Sequence, residues 1–562
     1  MLVLPSHLGA QKHDNIWMHG YYNYENFYID FTNFPPNIYV PNSFYEIEST
    51  IIFMSDSSGV PAFYSNGCSV LNGSNEKLYN GDSLLSDDYF CIEKNKMNLP
   101  HVGFALPSFN SKKYALFSGS YGYPLPSQPC EYNRFLVHHI DMSANQGEGI
   151  VVQKSEELLN GCFQTGCANR HANGRDWWIL LGDNQQTKFY RWLFTPDGLQ
   201  GPWEQSIENP TLDGYWYCGW SEFSPDGEKY MINACRKGVA LYDFDRCTGL
   251  LTNPKFIERA TIFNQGATFS PNSKILYTVD KGMRELLQYN LEATDIGASK
   301  EIVAVWNGTT DSFNAPTVFG FMQQGLDDKI YVWAGGSTYM HVIGFPNLLG
   351  VNCGVHQQAI KLPNISNNPS LYYPNYRLGP IDESSCDTLG INNLPTALFR
   401  YDIEDTLSPL NVTFTDVSSY LPTAWHWDLG DGAMSQDTNP VHDYVLPGTY
   451  NVCLVVSNAY AADTFCREVS VGTSGIHELP ALPQVRVAPN PFSTEIQVQL
   501  PALVGVSPQF VLYDLYGRVV KTVLLRDFET TVPLSNLPSG MYVWQLRWKG
   551  VATQSGRLVK TK

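Results

Sequence analysis

Five aromatic-rich strands follow one another at nearly even intervals through the first two thirds of the chain: FLVHHI, FYRWLF, VALYDF, ELLQYNL and YMHVI. Their equivalent positions are Ile140, Phe194, Phe244, Leu291 and Ile343, so the steps are 54, 50, 47 and 52 residues. A period of about fifty residues, in sequence with no long amphipathic helical repeat, predicts blades of four strands set around an axis. A second marker recurs one or two strands ahead of each. Phe223-Ser224-Pro225-Asp226-Gly227, Phe269-Ser270-Pro271-Asn272-Ser273, Gly325-Leu326-Asp327-Asp328 and Asn173-Gly174-Arg175-Asp176 each precede an apolar run. Proline pre-sets φ in such corners, and Asp, Asn or Gly tolerates the tight bend. STIIFMSD and VPAFYSNGCSVLN fit one more repeat with poorer spacing. The expectation is a β-propeller of six or seven blades over residues 11–382. The strand around Asn15–His19 is expected to close the ring against the returning chain near Tyr373–Leu378.

Composition agrees with an all-β chain. Of 562 residues, 43% are hydrophobic, enough for several cores, and only 16% are charged. The 33 Tyr, 29 Phe and 13 Trp, with 45 Gly and 35 Pro, suit short strands joined by tight turns. The net charge of −18 is repelled by phosphate backbones, which argues against a nucleic-acid partner. No run of eighteen apolar residues occurs, so no transmembrane helix is expected. Twelve cysteines without a CxxC pair favour disulfides over structural zinc. Cys453 and Cys466 lie equidistant from a hairpin centre between Ala459 and Tyr460, which predicts a cross-strand bridge. The other ten cannot be paired from sequence. Met1–Ala10, a short apolar start with small residues at its end, reads as a signal-peptide remnant.

Past a linker at 383–394, residues 395–472 change pattern. AWHWDLGDG, NPVHDY and LPGTYNVCLVVSN place Trp427, Asp428, Gly430, Asp431, Gly432, Pro440, Tyr444, Gly448 and Tyr450. This segment resembles a PKD domain, which implies an immunoglobulin-like sandwich with Trp427 in its core and a tight Gly-Asp-Gly turn. After a second linker at 473–484, residues 485–562 hold Pro489-Asn490-Pro491, Tyr513-Asp514, Gly517-Arg518, Leu534, Leu537, Gly540, Tyr542 and Lys560. Their order resembles the C-terminal sorting domain of type IX secretion cargo. The resemblance implies a second immunoglobulin-like sandwich, a secreted or outer-membrane surface location, and two partners: the type IX machinery and its sorting peptidase. It further implies cleavage in the 473–484 linker. The propeller itself resembles surface-exposed propellers of the same bacteria.

Chemistry is less legible. His171, Arg175 and Asp176, in HANGRDWW, offer a base, an oxyanion donor and an orienting carboxylate. They also sit where other repeats carry their corner, and the corner reading carries more weight. Asp243 and Asp245 share a strand face, suited to calcium or acid–base work, yet Asp245-Arg246-Cys247-Thr248-Gly249 also reads as a turn. Asp428 and Asp431 lack the oxygen-rich spacing of a calcium loop. His138 and His139 fall on opposite strand faces and cannot chelate one ion. No metal site, cofactor or catalytic motif is predicted. Trp177, Trp178, Trp216, Trp220 and Trp333 exceed ordinary core need and could stack on sugars. Two functions follow. The first is a displayed binding or structural protein, with the propeller recognising a polysaccharide or surface protein and the PKD domain as spacer. The alternative is a secreted propeller hydrolase, active on lactones or glycans, with a funnel site that could use a divalent cation.

Overall fold

The computed structural model describes residues 12–21, 24–41, 51–86, 88, 91–92, 103–109, 112–120, 132–183, 187–207, 220–234, 238–258, 266–366, 373–403, 410–472, 486–499, 509–514, 518–525, 529–548 and 551–561. Met1–Ala10, Trp216 and Gly517 lie outside them, as does the 473–484 linker. The described residues are built almost entirely of strands and turns, with short 3-10 turns and a helical fragment at Cys91–Ile92.

Three sheets have four antiparallel strands in simple sequential order. The first is Trp220–Phe223, Lys229–Ala234, Gly238–Asp245 and Leu250–Glu258. The second is Ala267–Phe269, Ile275–Asp280, Glu285–Asn290 and Glu301–Val305. The third is Met322–Gln324, Ile330–Trp333, Ser337–Ile343 and Val355–Ser366. Ahead of them, a seven-stranded sheet divides at the long strand Ile150–Arg170. The first part of that strand pairs with Tyr132–Asp141 as the outer strand of one blade. Its last part pairs with Trp177–Asp183 as the inner strand of the next. Two three-stranded sheets, starting at Ile16–Tyr21 and Ile52–Ser55, come before these.

The fifty-residue repeat now has a cause. Ile140, Phe194, Phe244 and Ile343 all lie on the third strand of their blade, and Leu291 lies one residue beyond it. Second and third strands are pressed between neighbouring blades, so KYMINA, ILYTVD and IYVW are buried along nearly their whole length. Such strands need continuous apolar residues, where a half-solvated strand would alternate. The second marker joins first and second strands in each blade. Ser224 Oγ donates to Asp226 and accepts from the Lys229 amide at 2.9 Å, which closes the corner. Ser270 repeats this with Asn272 and Ile275.

The PKD segment is a three-on-four sandwich. Phe399–Asp402, Asn411–Asp416 and Val441–Asp443 face Met434–Ser435, Ala424–Asp428, Gly448–Ser457 and Ala462–Val471. Trp427 is fully buried, 5.0 Å from Phe399 and 5.6 Å from Phe414. Cys453 sits directly opposite Cys466 in the hairpin, and the two are bonded. Propeller and PKD domain fall within one compact unit, residues 1–473. Residues 474–562 form a second unit. There, Arg486–Ala488, Glu495–Gln499 and Glu529–Pro533 face Val519–Leu524, Gln509–Tyr513, Gly540–Trp548 and Val551–Lys560. Their core is built from Phe492, Ile496, Phe510, Leu512, Val532 and Leu558.

Candidate functional site

The chain returning from the last blade does more than close the ring. Tyr373 donates to the Ile16 carbonyl, Tyr376 to Ala105 and Asn375 to Pro225. Ile381 donates its amide to Ala172 at 2.9 Å. These partners belong to inner strands and corners of four different blades. Only a segment crossing the end of the ring can reach all of them. Arg377 anchors the crossing on Asp14 at 2.6 Å and on Asn15 at 3.2 Å.

Two buried arginines hold the crossing segment by its carbonyl groups. Arg170 reaches the Tyr376 carbonyl at 3.2 Å and lies 3.7 Å over the Trp177 ring. Arg246 donates to Gly379 and to the carbonyls of Arg170 and His171. Burial pushes both guanidinium groups down to about 10, so both stay charged at neutral pH. Corner glycines fit beneath the segment. A Cβ on Gly227, where φ is +74°, would meet Leu378 at 2.6 Å, and one on Gly174 would meet Pro380 at 2.7 Å. The disulfide Cys247–Cys386, which joins residues 139 apart, ties the outgoing chain to the same blade. The cavity left between Arg170, Gly174, Leu378, Pro380, Asn392 and Tyr420 is about 10 Å³. That holds about one water, so this cavity is too small for a substrate.

His171, Arg175 and Asp176 belong to the end that the chain crosses. The His171 Nδ1 accepts from the Asn173 amide at 3.0 Å, and Nε2 donates to the Cys247 carbonyl at 3.2 Å. Burial also lowers its pKa. Asp176 takes Arg175 at 2.7 Å and the Asn173 side-chain amide at 2.8 Å. The His171 Nδ1 and both Asp176 oxygens are thus engaged in shaping the corner. Asp243 and Asp245 are likewise occupied. Asp243 binds Lys229 and Asn253, while Asp245 caps the Cys247 amide and the Thr248 hydroxyl. His138 is buried and His139 pairs with Glu156, on opposite faces as the strand period requires. Trp177, Trp178 and Trp333 are buried in blade contacts. Among the described residues no group of three or more His, Cys, Asp or Glu side chains could hold a metal ion. The segments 121–131, 208–219, 235–237 and 259–265 lie outside the described residues.

In the PKD domain the motif residues shape turns. Asp428 and Asp431 accept from the Gly430 and Ala433 amides, and Asp431 also pairs with His442 at 2.8 Å. Tyr444 stacks on Tyr450 at 4.2 Å and donates to Leu429. In the C-terminal unit, the Asn490 side chain clamps the last strand, donating to the Arg557 carbonyl and accepting from the Val559 amide, each at 2.9 Å. Pro489 and Pro491 hold that asparagine between two fixed φ angles. Lys560 is buried, donates to the Ser493 carbonyl and lies 5.4 Å over Phe492. Asp514 pairs with Arg518, Leu534 is in the core, the Leu537 amide returns to Leu534, and Tyr542 donates to Pro538. Sequence reasoning placed Tyr373–Leu378 against the Asn15–His19 strand but missed Arg170, Arg246 and the further crossing to Ala105, Ala172 and Pro225. Their partners are backbone carbonyls, which leave no pattern in side-chain spacing.

No curated protein matches the chain. Among solved structures it is similar to the PKD1 domain of Vibrio anguillarum Epp, at 28% identity over 14% of this chain and 95% of that one, with a TM-score of 0.13. It is also similar to the periplasmic gluconolactonase of Pseudomonas aeruginosa, at 13% identity over 63% of this chain and 97% of that one, with a TM-score of 0.36. Family models match residues 393–471 as a PKD domain and residues 486–561 as a secretion system C-terminal sorting domain. The chain is therefore an all-β protein that carries a PKD domain and a type IX sorting domain, and it is secreted or attached to the cell surface.

Proposed function

We propose that this is a surface-displayed or released binding protein whose propeller recognises a polysaccharide or a surface protein. The type IX machinery would export it, and the sorting peptidase would cut between the two compact units. What most supports this reading is the way the head is built. One end of the propeller is crossed by its own returning chain, and the PKD domain is seated directly on the blades through Arg400 on Gly344 and Asp402 on Lys329. Such a head presents a fixed surface. The PKD domain then acts as a spacer that is also a rigid support for the propeller. The side chains that sequence offered for catalysis serve the corners.

The test is retention against turnover. The purified full chain, loaded with divalent cation, is applied to polysaccharide and cell-surface arrays and assayed on lactones and glycans. Saturable retention without turnover is expected. Turnover of a lactone or a glycan would overturn the binding reading in favour of a hydrolase.

A further inference from the structure

Arg191 carries a charge that the fold leaves without an anion. It lies on Lys188–Thr195, the third strand of its blade. On that strand Lys188 already takes Glu204, at 3.0 Å. Phe189, which shares a strand face with Arg191, packs on Tyr230 and Tyr242 of the next blade. Arg191 therefore points towards the furrow between the two blades. Its Nε and Nη1 are sealed from solvent, and neither has a hydrogen-bond partner among the described residues. Burial alone lowers its pKa. Sealed and unpaired donors are costly, and in a native fold such a group calls for an explanation.

The surroundings supply one. Trp203 stands directly across from Arg191 on the outer strand Gly198–Ser206 and is 39% exposed. Its ring centre lies 5.9 Å from the guanidinium, a contact that compensates the charge in part and satisfies none of the N–H groups. Trp178 braces that indole in an edge-to-face contact at 6.1 Å. Gln205 ties the same outer strand to Leu251 of the next blade through two hydrogen bonds, at 2.6 and 3.0 Å. A braced, solvent-facing indole thus sits beside a cation in want of an acceptor. We propose that Arg191 and Trp203 form a saccharide subsite on the flank of the propeller, where Trp203 stacks on a sugar ring and Arg191 takes the carboxylate of a uronic acid. This rests on the polysaccharide reading above. Arg191 is only half-buried, which leaves Nη2 as its open end. Because water reaches so little of the guanidinium, an anion at Nη2 gains more than it would at a solvated arginine. The net charge of −18 disfavours a dense polyanion, so the fitting ligand carries an isolated carboxylate.

The test is a ligand-observed NMR titration of the intact chain with cellobiouronic acid, which bears a single carboxylate, and with cellobiose, its neutral counterpart. The acid is expected to bind about tenfold more tightly. Arg191→Met should abolish that preference, and Trp203→Ala should weaken both sugars. Arg191→Met should also be no less stable to urea than wild type, because it removes an unpaired charge at similar volume. Equal binding of the two sugars by wild type, or binding of neither, overturns the proposal. So does an Arg191→Met variant that keeps the preference, or one that unfolds at clearly lower urea, as loss of a merely structural arginine would cause. Retention of Arg191→Met on polysaccharide arrays at the wild-type level overturns the subsite but leaves the binding reading standing, whereas absence of wild-type retention removes both.

Discussion

Replacing Arg246 by methionine is expected to destabilise the propeller by about 3–5 kcal/mol, because it strips charged donors from three buried carbonyls. The side chain is 4% exposed and touches Arg170, His171 and Gly379 through their oxygens. Methionine fills similar volume, so the loss reports the hydrogen bonds more than a cavity. Urea unfolding followed by tryptophan emission measures it. A change below about 1 kcal/mol would mean that the crossing segment does not depend on this anchor.

Acid should act on the fold through three histidines. Burial pushes His19 and His138 down to about 3 and His341 down to about 4, against 6.5 in the free side chain. All three are neutral in the fold, so the unfolded chain gains protons first as pH falls. Their contribution is complete above about pH 6.5 and is lost as pH drops towards the folded values, at about 2 kcal/mol each by pH 5. The cause is visible in the geometry. The His138 Nδ1 accepts the Ser155 amide at 3.1 Å, and the His341 Nδ1 accepts the Gln358 amide at the same distance. A proton there would set donor against donor. His19 is packed against Phe27 at 5.3 Å and Trp333 at 5.0 Å, and neither nitrogen has a partner among the described residues. Burial raises the Asp328 carboxyl to about 7, which opposes the trend, so a variant is the clean readout. His19→Phe should unfold less readily at pH 5 than wild type and lose about 2 kcal/mol less between pH 7 and pH 5. Parallel stability–pH curves for the two proteins would contradict this.

How legible all this was depended on the range of each interaction. The third-strand residues repeat because every blade buries the same position, and the corners repeat because every first strand must turn into a second. The Cys453–Cys466 bridge was legible because both residues share one hairpin. Cys247–Cys386 and Cys68–Cys91 were not, since the first depends on the path of the crossing chain and the second on a packed loop. The PKD seat was hidden for a similar reason. Arg400 and Asp402 look like ordinary strand residues until Lys329 and Gly344 arrive from the last blade. One signal was available and went unread. His138 and His341 each lie two residues before a repeat marker, Ile140 and Ile343. Each receives an amide from a residue 17 positions later whose φ is positive, Ser155 at +60° and Gln358 at +50°. A histidine recurring in the repeat frame would have pointed to that outer-strand bulge.

The account rests on the C-terminal unit being an address for a head that folds without it. The most direct measurement is fractionation of cells expressing the chain with and without residues 486–562. The intact chain should reach the surface or medium and be found there without its C-terminal unit, while the shortened chain should stay folded in the periplasm. Surface delivery of the shortened chain at the level of the intact one would contradict the account.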